Sequence, residues 1–326
     1  MRYFVTGATG FVGGRLTRQL VADGHQVVII AREPSRAREL NALGVEVHSG
    51  DVTDRASLRA PMTGVDGVFH VAGWYKIGAR DQSAGQAVNV LGTRNVLETM
   101  QELGIARGVY TSTLAVFSDT HGRLVDESYR YLGPHLSEYD RTKWVAHYVI
   151  AEPLIKAGLP LVIVQPGLIY GPGDQSSIRT TLVQYLRRRL PVVPKGAAFS
   201  WAQVDDVARG HILAMERGQP GESYILAGPT HSLIDALTIA ERITGIPAPR
   251  LHAPPELLRL ASRLSGLVED VLPLPELYRS ETLRISAGVT YIGDNRKARR
   301  ELGFDPRPLE SGLAETLRYE LKLLGK

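Results

Sequence analysis

Short apolar runs alternate with segments of helical period along the first half of the chain. Apolar residues recur every three to four positions over Phe11–Ala22, Ala84–Leu103 and Ser137–Ile150, which predicts amphipathic helices. Short runs of mainly apolar, often β-branched residues predict strands buried in a parallel sheet with helices on both faces. These runs are Tyr3–Val5, Gln26–Ala31, Val45–Val47, Val68–Val71, Val109–Thr111 and Leu161–Gln165. The pattern predicts an α/β protein built on a doubly wound parallel sheet, with ligands beyond the carboxyl ends of its strands.

The alternation becomes less regular after Pro166. The predicted elements are a loop over Tyr170–Gly173, a helix over Ile178–Arg189, an extended piece over Pro191–Lys195, a strand over Ser223–Leu226, a helix over Leu233–Thr244 and short pocket-covering helices over Ala253–Leu277. We therefore expect two interleaved parts. The first comprises residues 1–165 with returning segments near 201–227, and the second is mainly residues 166–326.

The composition is that of a globular protein, with 44% hydrophobic residues among 326 and a net charge of +4. The absence of cysteine excludes disulfides, thiolate metal sites and a cysteine nucleophile. No segment is long and apolar enough to span a membrane, and the first apolar run is too short for a signal peptide. The basic residues at 187–189, 296–297 and 299–300 are interpreted first as solvated faces, with an anion site as the second interpretation and nucleic-acid contacts as the third. We expect a cytoplasmic protein with a small-molecule substrate, no metal, and no nucleic-acid or membrane partner.

Gly7, Gly10 and Gly13 recur every third residue between the first predicted strand and the first predicted helix. A helix that begins at such a turn directs free backbone amides and the positive end of its dipole toward an anion, and pyrophosphate suits that position. Glycines there permit the tight turn, a close approach to the phosphates and close packing of helix on strand. Although the spacing differs from the common GxGxxG, its context predicts a dinucleotide-binding turn.

The end of the second predicted strand indicates which dinucleotide is bound. An acidic residue about twenty positions after the glycines usually binds the adenosine ribose. This chain instead has Ala31 and Arg32 there, followed by Ser35 and Arg36. Because guanidinium groups pair with phosphate through a planar fork of donors, this favours NADP over NAD. The alternative is an ordinary surface arginine. Asp51, after the third strand, is a candidate acceptor from adenine, or simply part of a Gly-Asp turn.

Tyr139 and Lys143 are four positions apart on a predicted helix, so both project from one face. An ammonium beside the phenol, together with the charge of a nicotinamide, favours the phenolate and allows proton exchange with a substrate hydroxyl near neutral pH. Thr113, at the end of the fifth predicted strand, is a candidate to orient the same oxygen, with Ser112 as the alternative. His147 is interpreted as a packing or surface histidine.

These motifs resemble the extended short-chain dehydrogenases/reductases, which include NAD(P)-dependent epimerases, dehydratases and dihydroflavonol-reductase-like enzymes. The resemblance implies a Rossmann-type domain with Tyr139 as general acid/base, Lys143 holding the nicotinamide ribose and lowering the tyrosine pKa, and Thr113 as the third catalytic residue. It also implies a homodimer through the helices that carry Asn89 and Tyr139. The matching residues are Thr6–Gly13, Gly50–Asp51, His70–Ala72, Asn89–Thr93, Thr111–Thr113, Tyr139 with Lys143, Pro166–Gly167, Tyr170–Pro172 and Val204–Ala208.

The predicted cofactor contacts follow these motifs. They are Gly7, Thr9, Gly10, Phe11, Val12, Arg32, Arg36, Asp51, Val52, Val71, Ala72, Gly73, Asn89, Thr111, Tyr139, Lys143, Pro166 and Leu168. The small residues after the fourth strand are expected to let the cofactor lie against the backbone.

Departures from the family pattern bear on the substrate. Nucleotide-sugar members usually have Arg-Asp-Phe-Val-His where this chain has Phe199–Gln203, and they often have arginine in place of Gln165. The missing arginine argues against a sugar nucleotide. Arg32 and Pro34 resemble the NADPH-binding end of the second strand in dihydroflavonol-reductase-like members. The aromatic residues Trp74, Tyr75, Phe199 and Trp201 are candidates to line an apolar pocket, the alternative being that they only pack in the core.

The leading hypothesis is an oxidoreductase that uses NADPH to reduce a ketone or aldehyde on a small, fairly apolar substrate. The alternatives are an NAD-dependent sugar epimerase or dehydratase and a non-catalytic dinucleotide-binding protein. The intact trio of Tyr139, Lys143 and Thr113 argues against the last of these.

Overall fold

The computed structural model describes residues 1–269, 271–272, 274–275 and 278–325. Its strands are β1 (Arg2–Thr6), β2 (Gln26–Ala31), β3 (Glu46–Ser49), β4 (Gly67–His70), β5 (Gly108–Thr111), β6 (Leu161–Pro166), β7 (Leu168–Tyr170), β8 (Val192–Pro194), β9 (Ala198–Gln203), β10 (Ser223–Leu226), β11 (Thr230–Ser232), β12 (Leu251–Ala253) and β13 (Thr290–Tyr291).

The helices flank these strands in alternation. They are α1 (Phe11–Ala22), α2 (Arg38–Asn41), α3 (Ala56–Met62), α4 (Ser83–Gly85), α5 (Thr93–Glu102), α6 (Glu138–Trp144), α7 (Glu152–Lys156), α8 (Ser177–Leu186), α9 (Val204–Arg217), α10 (Leu233–Thr244), α11 (Pro255–Val268), α12 (Ser280–Ser286), α13 (Arg296–Leu302) and α14 (Leu309–Leu323). Two π-helical turns, Gln86–Gly92 and Val145–Ala151, join α4 to α5 and α6 to α7. The described residues contain no helix long and apolar enough to cross a membrane.

The main sheet has seven parallel strands in the order β10-β6-β5-β4-β1-β2-β3. Strands β1 to β3 follow one another toward one edge of the sheet, and β4 begins the series toward the other edge, so the strand order reverses between β1 and β4, which pair with Val5 opposite Phe69. This confirms the predicted doubly wound α/β fold of Rossmann type. In such a sheet the crevice at the reversal, beyond the carboxyl ends of the strands, is where a ligand binds. The strand Ser223–Leu226 lies at one edge of this sheet, beside β6.

Apolar side chains fill both faces of the sheet, as the continuous apolar strands require. On one face Val5, Ile29 and Val164 pack with Leu16 and Leu20 of α1. On the other face Phe4 and Ile163 pack with residues of α5 and of the π-helical turn Val145–Ala151. Both faces of each central strand are therefore covered, and only the strand ends are open to ligands.

The second part of the chain has a separate apolar cluster around α8, α10 and α14, including Tyr185 and Trp201. Its small sheets hold β11, β9, β13 and β7 in one set and β12 with β8 in another. Helix α10 has the predicted bounds, and Ser232 and Asp235 form a capping box at its start.

Three predicted boundaries in this part were wrong. Helix α8 ends at Leu186 rather than at Arg189, because Arg188 adopts a left-handed conformation and the Arg189 amide donates back to the Gln184 carbonyl. Tyr170, predicted in a loop, ends β7, which pairs with β9.

The third wrong prediction concerns the short helices over Ala253–Leu277. A single helix, α11, occupies Pro255–Val268, because its first turn accommodates Pro255 and its interior holds good helix formers. The part of this prediction that concerns Asp270, Pro273, Glu276 and Leu277 lies outside the described residues.

Candidate active site

The glycine turn joins β1 to α1 at the reversal point of the sheet. Gly7 has φ +72°, and a Cβ there would lie 2.7 Å from the Ala72 amide nitrogen. A Cβ on Gly13 would collide with the Gly7 carbonyl. Gly10 is exposed and is the N-cap residue of α1, without a side-chain cap. These glycines leave an open turn in front of a helix N-terminus, which is the arrangement that binds pyrophosphate.

The other predicted contacts border this turn at the ends of neighbouring strands. Val71, Ala72 and Gly73 follow β4 and are partly or fully exposed. Thr9 is exposed, and Phe11, Val12 and Leu168 are half-buried, whereas Val52 and Pro166 are buried. The cradle of small residues and exposed backbone fits a dinucleotide, and contact of each residue with the cofactor stays a prediction.

Arg32 and Asp51 lie side by side at the ends of β2 and β3. The Arg32 Nε is 3.9 Å from an Asp51 carboxylate oxygen, and the arginine side chain is 74% exposed. Asp51 also accepts from the backbone amide and the hydroxyl of Thr53, each at 2.9 Å. Arg36 is exposed on a short 3₁₀ turn nearby. Arg32 is therefore available to an incoming phosphate, with only a long, exposed ion pair to give up.

Asn89 holds the site together from beneath. Its Oδ1 accepts from the Trp74 amide at 2.7 Å, and its Nδ2 donates to the Trp74 carbonyl and to the Thr142 hydroxyl, each at 2.9 Å. The residue is buried in the π-helical turn Gln86–Gly92, which packs beside α6, the helix that carries Tyr139 and Lys143. Asn89 thus fixes the strand end after β4 against α6, and its direct contact with the cofactor stays a prediction.

Tyr139 and Thr113 meet at the bottom of the cleft. A hydrogen bond joins their hydroxyl groups, and Thr113 also accepts from the Ala115 amide at 3.2 Å. Ser112, the alternative, is instead bound to His147, with 2.7 Å between Oγ and Nδ1. His147 is buried and packs in the core, and is not a surface residue. The structure therefore brings Thr113, and not Ser112, to Tyr139, and the catalytic role of each stays a prediction.

Lys143 is buried one turn after Tyr139. Its Nζ donates to the Thr111 carbonyl at 2.6 Å and to the Tyr110 hydroxyl at 3.2 Å. The Thr111 hydroxyl is bound to His211 Nε2 at 2.8 Å, so Thr111 presents its carbonyl and not its side chain to the lysine. Burial lowers the pKa of Lys143 to about 7. The ammonium form therefore depends on these acceptors.

The protein's own groups leave the pKa of Tyr139 above its usual value. Burial raises it to about 12, the hydrogen bond from Thr113 opposes that rise, and Asp140 adds to it. Lys143 is directed instead to Tyr110 and Thr111. The lowering expected from the lysine together with a nicotinamide charge stays a prediction for the complex.

Sequence reasoning missed two carboxylates that connect the second part of the chain to α6 through hydrogen bonds. Asp140 is buried and accepts from the Tyr291 hydroxyl at 3.0 Å, and burial raises its pKa to about 6. Glu281 of α12 accepts from the Glu138 amide at 2.6 Å and from the Gly78 amide at 2.5 Å. Its position beside Tyr139 could have singled out Asp140, but no local signal marks Glu281, because its partners are 143 and 203 positions away.

Of the four aromatic residues predicted to line a pocket, Trp201 belongs to the core. It is 1% exposed, packs on Tyr170 and donates its indole N–H to the His231 carbonyl. Trp74 is buried, Tyr75 is exposed, and Phe199 stacks on Tyr291 with ring centroids 6.3 Å apart. Burial on both sides of β9 explains the correction for Trp201, whose side of the strand faces α10 and α14.

Comparisons with known proteins agree with this geometry. Residues 3–227 match the model of the NAD dependent epimerase/dehydratase family. The chain is 35% identical to a putative dihydroflavonol 4-reductase from Synechocystis, covering 97% of this chain and 94% of that protein. It is 32% identical to a 2-alkyl-3-oxoalkanoate reductase from Stenotrophomonas maltophilia, covering 96% and 97% of the two chains.

A solved structure extends the likeness to the fold. The crystal structure of gox2253 superposes with a TM-score of 0.84 at 29% identity and covers 98% of each chain. The glycine turn, the Tyr139 and Lys143 pair and these likenesses agree along the whole chain. The chain therefore belongs to the NAD-dependent epimerase/dehydratase family, as an NAD(P)-dependent enzyme of the extended short-chain dehydrogenase/reductase type.

Proposed function

We propose that this protein reduces a ketone or aldehyde on a small, fairly apolar substrate, with NADPH as the hydride donor. The observation that carries the proposal is the pair of hydroxyl groups on Tyr139 and Thr113, hydrogen-bonded to each other beside the buried Lys143. A carbonyl oxygen requires two such donors when it becomes an alkoxide. Thr113 follows the carboxyl end of β5 and the glycine turn follows the carboxyl end of β1, so both lie at the same end of the parallel sheet.

The cofactor site fits NADPH. The open turn at Gly7 and Gly10 would hold the pyrophosphate at the start of α1, and Arg32 would meet the 2′-phosphate. Arg36 adds a second exposed guanidinium nearby. When bound, NADPH supplies the hydride, and the remaining chemistry is done by the chain.

Tyr139 and Thr113 would hold the substrate oxygen through their hydroxyl groups. Tyr139 donates its proton to that oxygen as negative charge develops there, which is general acid catalysis. Burial, which raises the phenol pKa, keeps the tyrosine protonated in the free protein. The ammonium of Lys143 stabilises the phenolate left after the proton transfer.

The substrate side supports an apolar molecule. Phe199 and Tyr291 present stacked rings near Tyr139, and Phe199 occupies the segment where nucleotide-sugar members usually carry arginine. The two curated relatives above are named as reductases of a dihydroflavonol and of a 2-alkyl-3-oxoalkanoate. A reductase therefore has more support than a sugar epimerase.

The first experiment is calorimetric titration of cofactor-stripped protein with NADPH and with NADH at one salt concentration. Tighter NADPH binding is expected. Loss of nicotinamide absorbance is then followed with a panel of aromatic and alkyl ketones and aldehydes, with UDP-sugars as the comparison set and the alcohol products identified by mass spectrometry. Tighter NADH binding with turnover of a UDP-sugar would instead identify an epimerase. Binding without turnover of any substrate in the panel would support a dinucleotide-binding protein.

We also propose that the protein is cytoplasmic and pairs with a second copy through the helices that carry Asn89 and Tyr139. Leu91 and Val149, in the two π-helical turns of these helices, are 45% and 51% exposed, which suits an apolar contact between copies. Light scattering after gel filtration is expected to give a dimer, and Val149→Glu a monomer. A monomeric wild-type protein contradicts the pairing.

A further inference from the structure

A continuous chain of buried polar groups runs behind the catalytic lysine. Lys143 Nζ donates to the Tyr110 hydroxyl at 3.2 Å, and that hydroxyl is hydrogen-bonded to Thr93. The Thr93 hydroxyl lies 3.0 Å from His70 Nε2, and His70 Nδ1 lies 2.8 Å from the Thr6 hydroxyl. All five side chains are at least 96% buried. Polar groups so deep in a core are costly unless each has its partner.

The hydrogen bonds of this chain have a definite direction. Thr6 Oγ1 accepts from the Val71 and Ala72 amides, each at 3.1 Å, so its own proton is donated to His70 Nδ1. Neutral His70 then carries its proton on Nε2 and donates it to Thr93. Burial lowers the pKa of His70 to about 3, with a smaller contribution from the Lys143 charge, which agrees with a neutral ring.

From the other end, Lys143 is a donor only, so the Tyr110 oxygen accepts from it. The hydrogen bond with Thr93 favours the phenolate form of Tyr110, so the Thr93 hydroxyl is placed to donate to the same oxygen. Donors thus converge on the Tyr110 oxygen from both sides, and the bond with Thr93 fixes how a lone pair of Tyr110 faces the ammonium. The ring of Tyr110 also stacks on His70, with centroids 5.5 Å apart.

We propose that Tyr110, Thr93 and His70 are positioning residues that hold the Lys143 ammonium at the bottom of the cleft and couple it to the glycine turn. The coupling runs through Thr6, which precedes Gly7, and through the Ala72 backbone against which Gly7 packs. The proposal rests on the catalytic role given to Lys143 under the proposed function. The other titratable groups around the lysine are Tyr139 on its own helix and His147 on the following π-helical turn.

The test compares Thr93→Val, which keeps the shape and removes the hydroxyl, with Thr93→Ser, which keeps the hydroxyl. Thr99→Val is the matched control, because Thr99 is equally buried in the same helix and its hydroxyl has no partner among the described residues. Competitive acetylation of the protein across a pH range, read by mass spectrometry, gives the ionisation of Lys143 without cofactor or turnover. Thermal unfolding, followed by circular dichroism, establishes that each variant is folded.

In Thr93→Val the Tyr110 hydroxyl loses its hydrogen bond with Thr93 and is no longer fixed with a lone pair toward the ammonium. The acid dissociation constant of Lys143 is expected to rise roughly tenfold, and the profile of turnover against pH to shift with it. Thr93→Ser and Thr99→Val are expected to match the wild type. Equal ionisation in Thr93→Val and Thr93→Ser overturns the proposal, as does an equal shift in Thr99→Val. Because acetylation needs no substrate, failure to find turnover leaves this result intact and counts only against the proposed function.

Discussion

The two sides of the cleft are built in opposite ways. On the side of the main sheet, the polar groups are buried and bonded, as with Lys143, Thr113 and His70, while apolar side chains fill the core behind them. On the side of α11 and α12, apolar side chains face outward. Leu257, Leu260, Leu264 and Leu267 of α11 are 53 to 78% exposed.

Helices α1 and α11 show the difference within single elements. Helix α1 buries Leu16 and Leu20 against the sheet. Helix α11 buries Ser262 and Ser265, whose hydroxyls donate to carbonyls of the chain beside it, at Ser280 and Tyr278. A helix that is attached mainly by hydrogen bonds and leaves its leucines exposed gains little from the hydrophobic effect. The sheet side therefore holds its polar groups in a packed apolar core, whereas α11 is held mainly by polar contacts with the chain beside it.

Tyr139→Phe is the strongest test that the proton transfer takes place on the side of the main sheet. Removing one hydroxyl deletes the proposed general acid, so turnover is expected to fall about 10² to 10⁴-fold. Calorimetry is expected to show NADPH affinity close to that of the wild type, since the ring and Lys143 stay in place. Retained turnover with weakened NADPH binding would show that Tyr139 serves the cofactor and not the proton transfer.

The contrast between α1 and α11 predicts unequal effects of the same substitution. Leu16→Ala opens a cavity in the core and is expected to lower the free energy of unfolding by about 2 to 5 kcal/mol. Leu264→Ala, on the exposed face of α11, is expected to change it by less than about 0.5 kcal/mol. Urea unfolding of both variants measures the two values. A large loss in Leu264→Ala would mean that the outer face of α11 is covered in solution.

Acid conditions are expected to weaken the sheet side first. Burial lowers the pKa of His70 and His147 to about 3 and that of His211 to about 4. Below about pH 6.5 the unfolded chain therefore binds protons at these histidines that the folded protein does not bind. Asp140 opposes this, because burial raises its pKa to about 6 and the folded form takes up a proton earlier.

Near pH 5 the unfolded chain binds about two more protons than the folded protein. The free energy of unfolding is therefore expected to fall by roughly 3 kcal/mol for each unit by which the pH is lowered. Urea unfolding at a series of pH values, monitored by circular dichroism, gives the slope. His211→Asn should reduce that slope by about one proton. A flat dependence between pH 6 and pH 4.5 contradicts the burial of neutral histidines.

Glu281 links the two sides, and Glu281→Gln tests that link. One carboxylate accepts two backbone amides, at Gly78 and Glu138, and an amide side chain has only one oxygen to offer. We expect a loss of about 1 to 3 kcal/mol in unfolding free energy and a raised KM for substrate, with little change in kcat. Glu310→Gln, which alters an exposed carboxylate in α14, is the control. A fall in kcat with unchanged KM would place Glu281 in the chemistry.

The parts predictable from sequence are those that local pattern determines. The bounds of α1 and β2 follow from the spacing of their apolar residues and from the glycines that flank them. The spacing of Tyr139 and Lys143 places both on one face of a helix. Glu281 and Tyr291 could not be found in this way, because their partners lie 143 or more positions away. The richness of Ala253–Leu277 in proline and leucine predicted short helices that cover a pocket, but not that the leucines of α11 face outward.

Arg32→Ala gives the smallest expected effect. It tests whether the polar groups on the sheet side include an arginine that binds the 2′-phosphate of the adenosine. The guanidinium is exposed and paired only at 3.9 Å, so its interaction with a 2′-phosphate is screened by water and salt. We expect NADPH binding to weaken about tenfold and NADH binding to stay within twofold, measured by calorimetry at low and at high salt. Arg38→Ala, in the following helix, serves as the control for lost surface charge. If Arg32→Ala weakens both cofactors equally, the arginine supports the strand end, and the preference for NADPH must come from elsewhere in the adenosine site.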